Sequence, residues 1–181
     1  MSTLRKKLRF KITVIGDGRV GKTSLISKYT LGAFDTDYVE TIGAQLSKYD
    51  KEIDGDNVRL LFWDIAGQDS FDFLRPSFYR DSNAVIIVYS LEENQLGTRS
   101  FDNIANWRAE VNQFCGNIPI VLFANKVDLI NEVEIDRSKI QEIVKKNKFL
   151  GYYITSAKTG KGVHNAFNMI INKLYNKSHA T

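Results

Sequence analysis

Cysteine, histidine and proline are all scarce in this chain of 181 residues, and each scarcity excludes a class of protein. The one cysteine, Cys115, cannot form a disulfide within the chain, and a cysteine-rich zinc site is excluded with it. The two histidines, His164 and His179, both lie near the C-terminus, which makes histidine-based metal sites and Ser/His/Asp triads poor candidates. Two prolines and twelve glycines argue against a collagen-like chain or a long disordered segment.

Long hydrophobic runs are also lacking. No apolar run approaches the roughly 18 residues that a membrane-spanning helix needs, and residues 1–9 carry charge without a following apolar segment, so we expect no secretory signal. The net charge of 25 − 21 = +4 is too small to indicate nucleic-acid binding. The length suits one domain with its own core. We therefore expect a single cytoplasmic domain.

Part of the positive charge forms an N-terminal basic run of Arg5, Lys6, Lys7, Arg9 and Lys11. Such a run can act as a patch for a membrane surface or for a partner protein. It can also be a solvated lead-in to the first strand, and this second interpretation is the one that we favour.

The hydrophobic pattern alternates strands with helices. Apolar residues alternate over 8–14 and lead to Gly16, which predicts a strand followed by a glycine-rich loop. A polar, alternating segment over 45–53 is typical of an exposed edge strand. Turn residues separate it from an apolar strand over 58–65, so the two are predicted to form a hairpin.

Two continuous apolar runs, 84–89 and 118–124, are typical of strands buried on both faces, which implies a mostly parallel sheet covered by helices. Helical spacing predicts one helix over 101–115 and a strongly amphipathic helix over 163–174. With a short last strand over 151–154, we expect one α/β sheet of about six strands. Ligands of such sheets bind beyond the carboxyl ends of the strands, so the loops after the strands should carry the chemistry.

The loop after the first strand, residues 16–23, fits the phosphate-loop pattern G-x-x-x-x-G-K-[ST]. Backbone N–H groups of such a loop point at phosphate oxygens, and the following helix adds its positive N-terminal end. Lys22 can reach the β- and γ-phosphates, and the Thr23 hydroxyl can ligate Mg²⁺. A simple glycine-containing turn is the alternative. The predicted nucleotide contacts are Gly16, Asp17, Gly18, Arg19, Val20, Gly21, Lys22, Thr23 and Ser24.

A second post-strand loop begins at an acid, in the sequence Trp-Asp-Ile-Ala-Gly-Gln over residues 63–68. The Asp64 carboxylate suits a Mg²⁺ ion held through a water molecule. Gly67 can offer its N–H to a γ-phosphate, and Gln68 can orient the attacking water. Alone this motif is only moderately specific, but its place about forty residues after Lys22 makes it a strong signal.

Two further loops point to guanine. In the sequence Asn-Lys-Val-Asp over 125–128, a carboxylate can accept hydrogen bonds from guanine N1–H and its exocyclic amine, a donor pair that adenine lacks. Two such charge-assisted bonds, at about 1.5–3 kcal/mol each, suggest roughly 10²–10⁴ in base selectivity. In the sequence Thr-Ser-Ala-Lys over 155–158, backbone N–H groups can contact guanine O6. Plain turns are the alternative for both loops. The predicted contacts are Asn125, Lys126, Asp128, Ser156, Ala157 and Lys158.

Together these motifs resemble the Ras superfamily of small GTPases over residues 9–177. Within it the chain is most similar to the Rab branch, through residues 41–43, 63–68 and 78–80. The resemblance implies a P-loop NTPase (Ras-like) fold, with a six-stranded, mostly parallel sheet, one antiparallel edge strand and helices on both faces. It also implies one GTP-binding domain over 1–181, with its core over 9–177.

The resemblance implies roles for individual residues that the sequence motifs alone do not predict. Phe34 would pack edge-on to the guanine, Tyr38 would fold over the phosphates, and Thr41 would ligate Mg²⁺ and sense the γ-phosphate. The implied catalytic residues are Gln68, Lys22, Thr41 and Gly67. The implied metal ligands are Thr23, Thr41 and, through water, Asp64. Mg²⁺ is the implied cofactor of a slow conversion of GTP to GDP that a GAP accelerates.

The implied partners are effector, GAP and exchange-factor proteins that contact residues 34–46 and 63–80 of a monomeric switch in membrane traffic, with no role for nucleic acid. Ser70 departs from the arginine usual in the Rab branch, and the C-terminus departs from the cysteines on which Rab and Rho members are prenylated. We therefore expect peripheral membrane association only if a lipidated tail is missing from this chain. A nucleotide-bound scaffold that does not cycle, or an ATP-dependent P-loop protein, are the alternative functions.

Overall fold

A computed structural model describes residues 5–36, 40–67 and 73–180 of the chain. The described residues form six strands: β1 Lys7–Ile15, β2 Ala44–Ile53, β3 Asp56–Ile65, β4 Ala84–Ser90, β5 Ile120–Asn125 and β6 Tyr152–Ile154. They also form six α-helices: α1 Lys22–Leu31, α2 Arg75–Tyr79, α3 Gln95–Asp102, α4 Ile104–Cys115, α5 Arg137–Lys146 and α6 Val163–His179. Two short 3₁₀ turns, Val127–Leu129 and Glu132–Glu134, follow β5.

The strands form one sheet in the order β2-β3-β1-β4-β5-β6. Only the pairing of β2 with β3 is antiparallel, and the four other pairings are parallel. Positive φ angles at Asp54 (50°) and Gly55 (87°) close the β2–β3 hairpin, and turns of this kind match the twist of the flanking strands. The predicted six-stranded, mostly parallel sheet with one antiparallel edge strand is confirmed.

The sheet is covered by two hydrophobic layers. One layer packs α1 and α6 against it, and its centre is the stacked pair of Tyr29 and Phe167, whose ring centroids lie 4.6 Å apart. The other packs α4 and α5 against the opposite side, around Ile104 and Trp107. All seven residues of β4 and all six of β5 are buried. Each large apolar side chain so buried contributes about 1.5–3 kcal/mol, which makes these central strands a firm support for the loops at their ends.

The helical segment before β5 is interrupted, which corrects the prediction of one helix from Phe101 to Cys115. Helix α3 ends at Asp102 and α4 begins at Ile104, with Asn103 between them. The Asn103 side chain donates a hydrogen bond of 2.8 Å to Asp17 in the phosphate loop, so the interruption coincides with a long-range contact. Within the part of the chain that the structure describes, no helix is both long enough and apolar enough to cross a membrane.

The Asp56 carboxylate joins the two ends of the chain to the β2–β3 hairpin. Its Oδ1 accepts a hydrogen bond of 2.8 Å from the Lys6 amide, and its Oδ2 accepts one of 3.1 Å from the Tyr175 hydroxyl. The His179 ring lies 3.0 Å from the same Oδ2. The Lys6 bond, helped by Tyr175 and His179 and opposed by burial, lowers the pKa of Asp56 below its usual value.

We expect Asp56→Asn to destabilise the protein at pH 7, because the amide binds these donors less strongly than the carboxylate does. Since the folded-state pKa lies below the unfolded value of about 3.9, the contribution of Asp56 is present above about pH 4 and is lost as the pH falls through the folded value. Urea unfolding midpoints should differ from wild type at pH 7 and converge as the pH falls below the folded-state pKa of Asp56. Asp54→Asn, an exposed carboxylate in the same turn, is the matched control. An equal loss of stability in Asp56→Asn and Asp54→Asn would contradict the stabilising role assigned to the Asp56 carboxylate.

Candidate functional site

A cavity of about 540 Å³ opens beyond the carboxyl ends of the parallel strands. This volume is typical of sites for small organic ligands. The cavity is lined by Gly18, Arg19, Gly21, Lys22, Thr23, Ser24, Ser27, Phe34, Asp35, Thr36, Thr41, Ala66, Gly67, Asn125, Lys126, Asp128, Leu129, Ala157 and Lys158. The four predicted motif loops therefore contribute to one site.

Lys22 lies at the base of this cavity. Its Nζ donates to the carbonyl oxygens of Gly16 (2.8 Å) and Asp17 (2.7 Å), so the phosphate loop holds the ammonium in place. Burial lowers the pKa of Lys22 to about 8, and the Asp64 and Asp17 carboxylates offset part of that effect. An anion that enters the cavity would favour the charged form, and the ammonium would in turn stabilise a bound phosphate.

Two glycines allow the backbone of the site to pack closely. Gly21 has a φ of +97°, and a Cβ there would lie 2.4 Å from Asn125 Nδ2. A Cβ on Gly67 would lie 2.2 Å from the Gly16 carbonyl oxygen. No real Cβ tolerates such contacts, so larger residues are excluded at both positions. The segment that begins at Gly67 therefore starts in direct contact with the phosphate loop.

Three oxygen-bearing side chains converge at the mouth of the phosphate loop. The Thr23 hydroxyl donates to Asp64 Oδ2 and lies 3.0 Å from the Thr41 hydroxyl, which lies 3.4 Å from that same Oδ2. Asp64 Oδ1 is buried and has no hydrogen-bond partner among the described residues. Burial raises the pKa of Asp64, against the effects of Lys22 and the two threonines.

Such an oxygen set fits Mg²⁺, a hard cation that prefers carboxylate, hydroxyl and water ligands. A cation here would provide a partner for the orphaned Asp64 oxygen and would favour the ionised carboxylate. No group of three or more His, Cys, Asp or Glu side chains with metal-ligand geometry occurs in residues 5–36, 40–67 and 73–180. The threonine–aspartate cluster is consequently the candidate metal centre of the described part of the chain.

Asn125 joins three loops at the other end of the cavity. Its Nδ2 donates to the Val20 carbonyl (2.9 Å), and its Oδ1 accepts from the Thr155 hydroxyl (3.1 Å) and the Ala157 amide (3.2 Å). The side chain is almost fully buried, at 1% exposure, so these bonds replace solvent. Asn125 therefore holds the loops after β1, β5 and β6 in fixed positions.

Asp128 faces the cavity with its carboxylate fixed by Ser156. The Ser156 hydroxyl donates to Asp128 Oδ1 over 2.5 Å, which leaves Oδ2 and further lone pairs for a ligand. Phe34, Lys126 and Lys158 lie around the same end. An aromatic ring, two cation stems and a carboxylate can together enclose a flat base and read its hydrogen-bond donors.

Glu92 is a site residue that the sequence analysis missed. It follows β4, and its Oε2 accepts a bond of 2.6 Å from Lys126 Nζ and one of 2.8 Å from the Ser90 hydroxyl. Burial raises the pKa of Glu92, but these bonds outweigh it, and the net pKa is lowered. The rule that post-strand loops carry the chemistry could have identified Glu92, because β4 neighbours β1 and β5 in the sheet.

Asp17 has a role that its place in the phosphate-loop pattern does not reveal. Its carboxylate accepts bonds of 2.8 Å from Trp107 Nε1 and from Asn103 Nδ2, which anchor the loop to α4. The guanidinium of Arg75 lies 4.5 Å from the centre of the Trp107 ring and pairs with Glu110 at 3.2 Å. The Asp17 side chain thus links the phosphate loop, through Trp107, to Arg75 of α2. Only the backbone of Asp17 is available to phosphates.

Most of the predicted contact residues lie on the cavity wall. Gly16, Asp17, Val20 and Ser156 stand behind that wall and hold it through the bonds described above. Tyr38 and Gln68 lie outside the described residues. Five lining residues were not predicted as contacts, although Ala66 lies within the 63–68 motif: Ser27, Asp35, Thr36, Ala66 and Leu129.

Comparison with known proteins places this geometry in context. The sequence model of the Ras family matches residues 11–176. The human Ras-related protein Rab-9A is 34% identical over 174 residues, which cover 93% of this chain and 84% of Rab-9A. The GTP-binding protein RHO1 of Saccharomyces cerevisiae is 37% identical over 173 residues, covering 88% of this chain and 80% of RHO1. The Ras-related protein Rab-18 of Caenorhabditis elegans is 36% identical over 166 residues, covering 91% and 79%.

Proposed function

Because this chain belongs to the Ras family of GTPases, whose members hydrolyse GTP to GDP, we propose that it is a Mg²⁺-dependent guanine-nucleotide switch with a Rab-like role in membrane traffic. One observation carries the proposal. The phosphate loop, Gly67, the two threonines that contact Asp64 and the two guanine-recognition loops line a single cavity of about 540 Å³.

At the phosphate end, the loop backbone and Lys22 would bind the β- and γ-phosphates, while Thr23, Thr41 and, through water, Asp64 would hold Mg²⁺. When bound, the ion would neutralise phosphate oxygens and the charge that develops on them during transfer. The Lys22 ammonium, which the Gly16 and Asp17 carbonyl oxygens hold in place, would stabilise the same charge with little reorganisation in the transition state.

Hydrolysis proceeds by in-line attack of water on the γ-phosphorus. Gln68 orients that water, and the Gly67 N–H binds a γ-phosphate oxygen. The bond between the γ-phosphorus and the β–γ bridging oxygen breaks, which yields GDP and phosphate. Loss of the γ-phosphate releases Thr41 and Gly67, and segments 34–43 and 66–78 then change conformation. The packing of Gly67 against the phosphate loop supports this coupling.

The guanine end supplies the base preference. The Asp128 carboxylate accepts from guanine N1–H and the exocyclic amine, and the Ser156 hydroxyl orients it. Backbone N–H groups of the loop over 155–158 contact O6, the Lys158 stem lies along the face of the base, and Phe34 packs edge-on to the ring. Asn125 keeps this end in register with the phosphate loop through its bond to Val20.

Residues 9–177 would form one GTP-binding domain, and its partners would be effector, GAP and exchange-factor proteins at residues 34–46 and 63–80. Apolar side chains exposed there support a protein-binding role: Ile42 is 79% exposed and Phe73 is 76% exposed. Rab-9A and RHO1 are similar to this chain at 34% and 37% identity, so the Rab-like role rests on residues 41–43, 63–68 and 78–80. We place the protein in the cytoplasm.

Competition between nucleotides tests the proposal. Protein loaded with a fluorescent GDP analogue and Mg²⁺ is titrated with unlabelled GDP or ATP. We expect GDP to displace the analogue at a concentration at least about 10²-fold lower than ATP, because adenine lacks the N1–H and 2-amino donor pair that Asp128 binds. Displacement by ATP at a concentration similar to that of GDP would contradict guanine recognition and favour an ATP-dependent protein.

A further inference from the structure

The outer face of β1, β3 and β2 is exposed. Strand register pairs Lys7 with Asn57, which in turn pairs with Glu52, and it pairs Arg9 with Arg59. All five of these residues are exposed, while their neighbours on the inner face pack against the core. The members of the basic run from Lys7 onward therefore lie within β1 itself, and the alternate ones share one face, which corrects their interpretation as a lead-in to the strand.

This cationic face carries more positive than negative charge. Its cations are Lys7, Arg9, Lys11, Lys48 and Arg59, and its acids are Asp50 and Glu52. Asp50 is neutralised by Arg59, through two bonds of 2.7 and 2.8 Å. Glu52 lies 4.0 Å from Arg5, which adds a further cation at the edge.

Three of these cations are uncompensated. Lys7, Arg9 and Lys48 have no hydrogen-bond or ion-pair partner among the described residues. A groove of about 590 Å³ runs along this part of the sheet and is lined by Lys7 and Arg9 together with the Arg59–Asp50 pair. The face thus combines a shaped surface with positive charge that nothing in the described chain neutralises.

We propose that this cationic face is a docking surface for an acidic, extended segment of a partner protein. Lys7, Arg9 and Lys11 occupy every second residue of β1 and lie about 6.6 Å apart. This spacing matches that of alternate side chains in an extended peptide. The exposed Glu52 carboxylate, which lies 4.0 Å from Arg5, would repel a uniformly anionic membrane, whereas a peptide can place its own residues to avoid it.

The apolar end of the same face favours a protein as well. Trp63 and Leu46 are paired across β3 and β2, and Lys11 lies 4.9 Å from the centre of the Trp63 ring. Trp63 and Leu46 both belong to the surface assigned to partners of the switch. The inference rests on the proposed function, because it gives the charge of a partner of the proposed switch. The cationic face itself does not depend on bound nucleotide.

The test uses the full chain and a fluorescein-labelled peptide of twelve residues in which Glu and Thr alternate. Fluorescence anisotropy compares wild type with Lys7→Glu/Arg9→Glu. The control is Lys145→Glu/Lys146→Glu, which makes the same charge change on exposed residues of α5. We expect about tenfold weaker binding in the first variant and less than twofold in the control. Binding of wild type should also fall as salt is raised from about 0.05 to 0.3 M.

Three results would overturn the proposal: no binding to wild type, equal loss in both double variants, or equally tight, residue-dependent binding to phosphatidylserine vesicles. The last would assign the face to a membrane. GDP affinity, measured in parallel, separates this inference from the proposed function, because none of the four substituted residues lines the nucleotide cavity. If Lys7→Glu/Arg9→Glu loses GDP binding, the milder variant Lys7→Gln/Arg9→Gln takes its place. We expect this variant to bind the peptide about threefold more weakly than wild type does. Unchanged peptide binding would contradict the proposal.

Discussion

Asp128→Asn should convert the protein from a guanine-nucleotide binder to a xanthine-nucleotide binder. The carboxylate that faces the cavity accepts from the two guanine donors, and an amide cannot accept both bonds. An amide can instead donate to the additional carbonyl of xanthine. With two charge-assisted bonds affected, we expect GDP affinity to fall by roughly 10²–10⁴ and XDP affinity to rise above that of GDP.

Equilibrium titration with GDP and XDP measures this change directly. Glu142→Gln, which removes one negative charge from an exposed position of α5, is the matched control and should leave both affinities unchanged. The Ser156 hydroxyl can still donate to the carbonyl oxygen of an asparagine, so the loop should keep its shape. An unchanged preference for guanine in Asp128→Asn would refute the assignment of Asp128 to base recognition.

Gln68→Leu should slow GTP hydrolysis by up to about 10²-fold and leave nucleotide affinity within about twofold of wild type. Leucine is similar in size to glutamine but cannot hydrogen-bond the attacking water, and loss of orientation has a cost of this order. Gln68 lies outside the described residues. Its role rests on the family resemblance and on Gly67, the preceding residue, which packs against the phosphate loop.

Single-turnover release of phosphate from protein loaded with GTP measures the effect. Gln141→Leu on the exposed side of α5 makes the same chemical change away from the cavity and should hydrolyse GTP at the wild-type rate. Equal rates for Gln68→Leu and wild type would remove Gln68 from the mechanism. Loss of GTP binding in Gln68→Leu would instead assign it to ground-state binding.

The sheet could be predicted from the sequence because its central strands are buried on both faces. The segments that form β4 and β5 are continuous apolar runs in the sequence, because both faces of these strands are buried. The site could be predicted because its motifs occupy loops after strands, which a parallel sheet brings to one edge. The cavity wall contains residues from all four predicted loops for this reason.

Contacts between distant side chains could not be predicted. Asp17 and Trp107 are separated by 90 residues, and neither position carries a pattern that points to the other. The bond from Asn103 to the same carboxylate accompanies the interruption between α3 and α4, which helical periodicity alone does not reveal. Glu92 and Lys126 pair because β4 and β5 are neighbours, a fact of topology.

Single-turnover hydrolysis of GTP by the wild-type protein, with Mg²⁺ or with EDTA, tests the central claim most directly. Arg19 lies on the cavity wall, but it belongs to the phosphate loop, which holds phosphates by its backbone, so no arginine side chain is assigned to the developing charge and the reaction should be slow. We predict a Mg²⁺-dependent rate constant on the order of 10⁻⁴–10⁻³ s⁻¹, typical of family members without an activating arginine. Bound GTP that remains intact in Mg²⁺ over a day would contradict the switch and identify a nucleotide-bound scaffold that does not cycle.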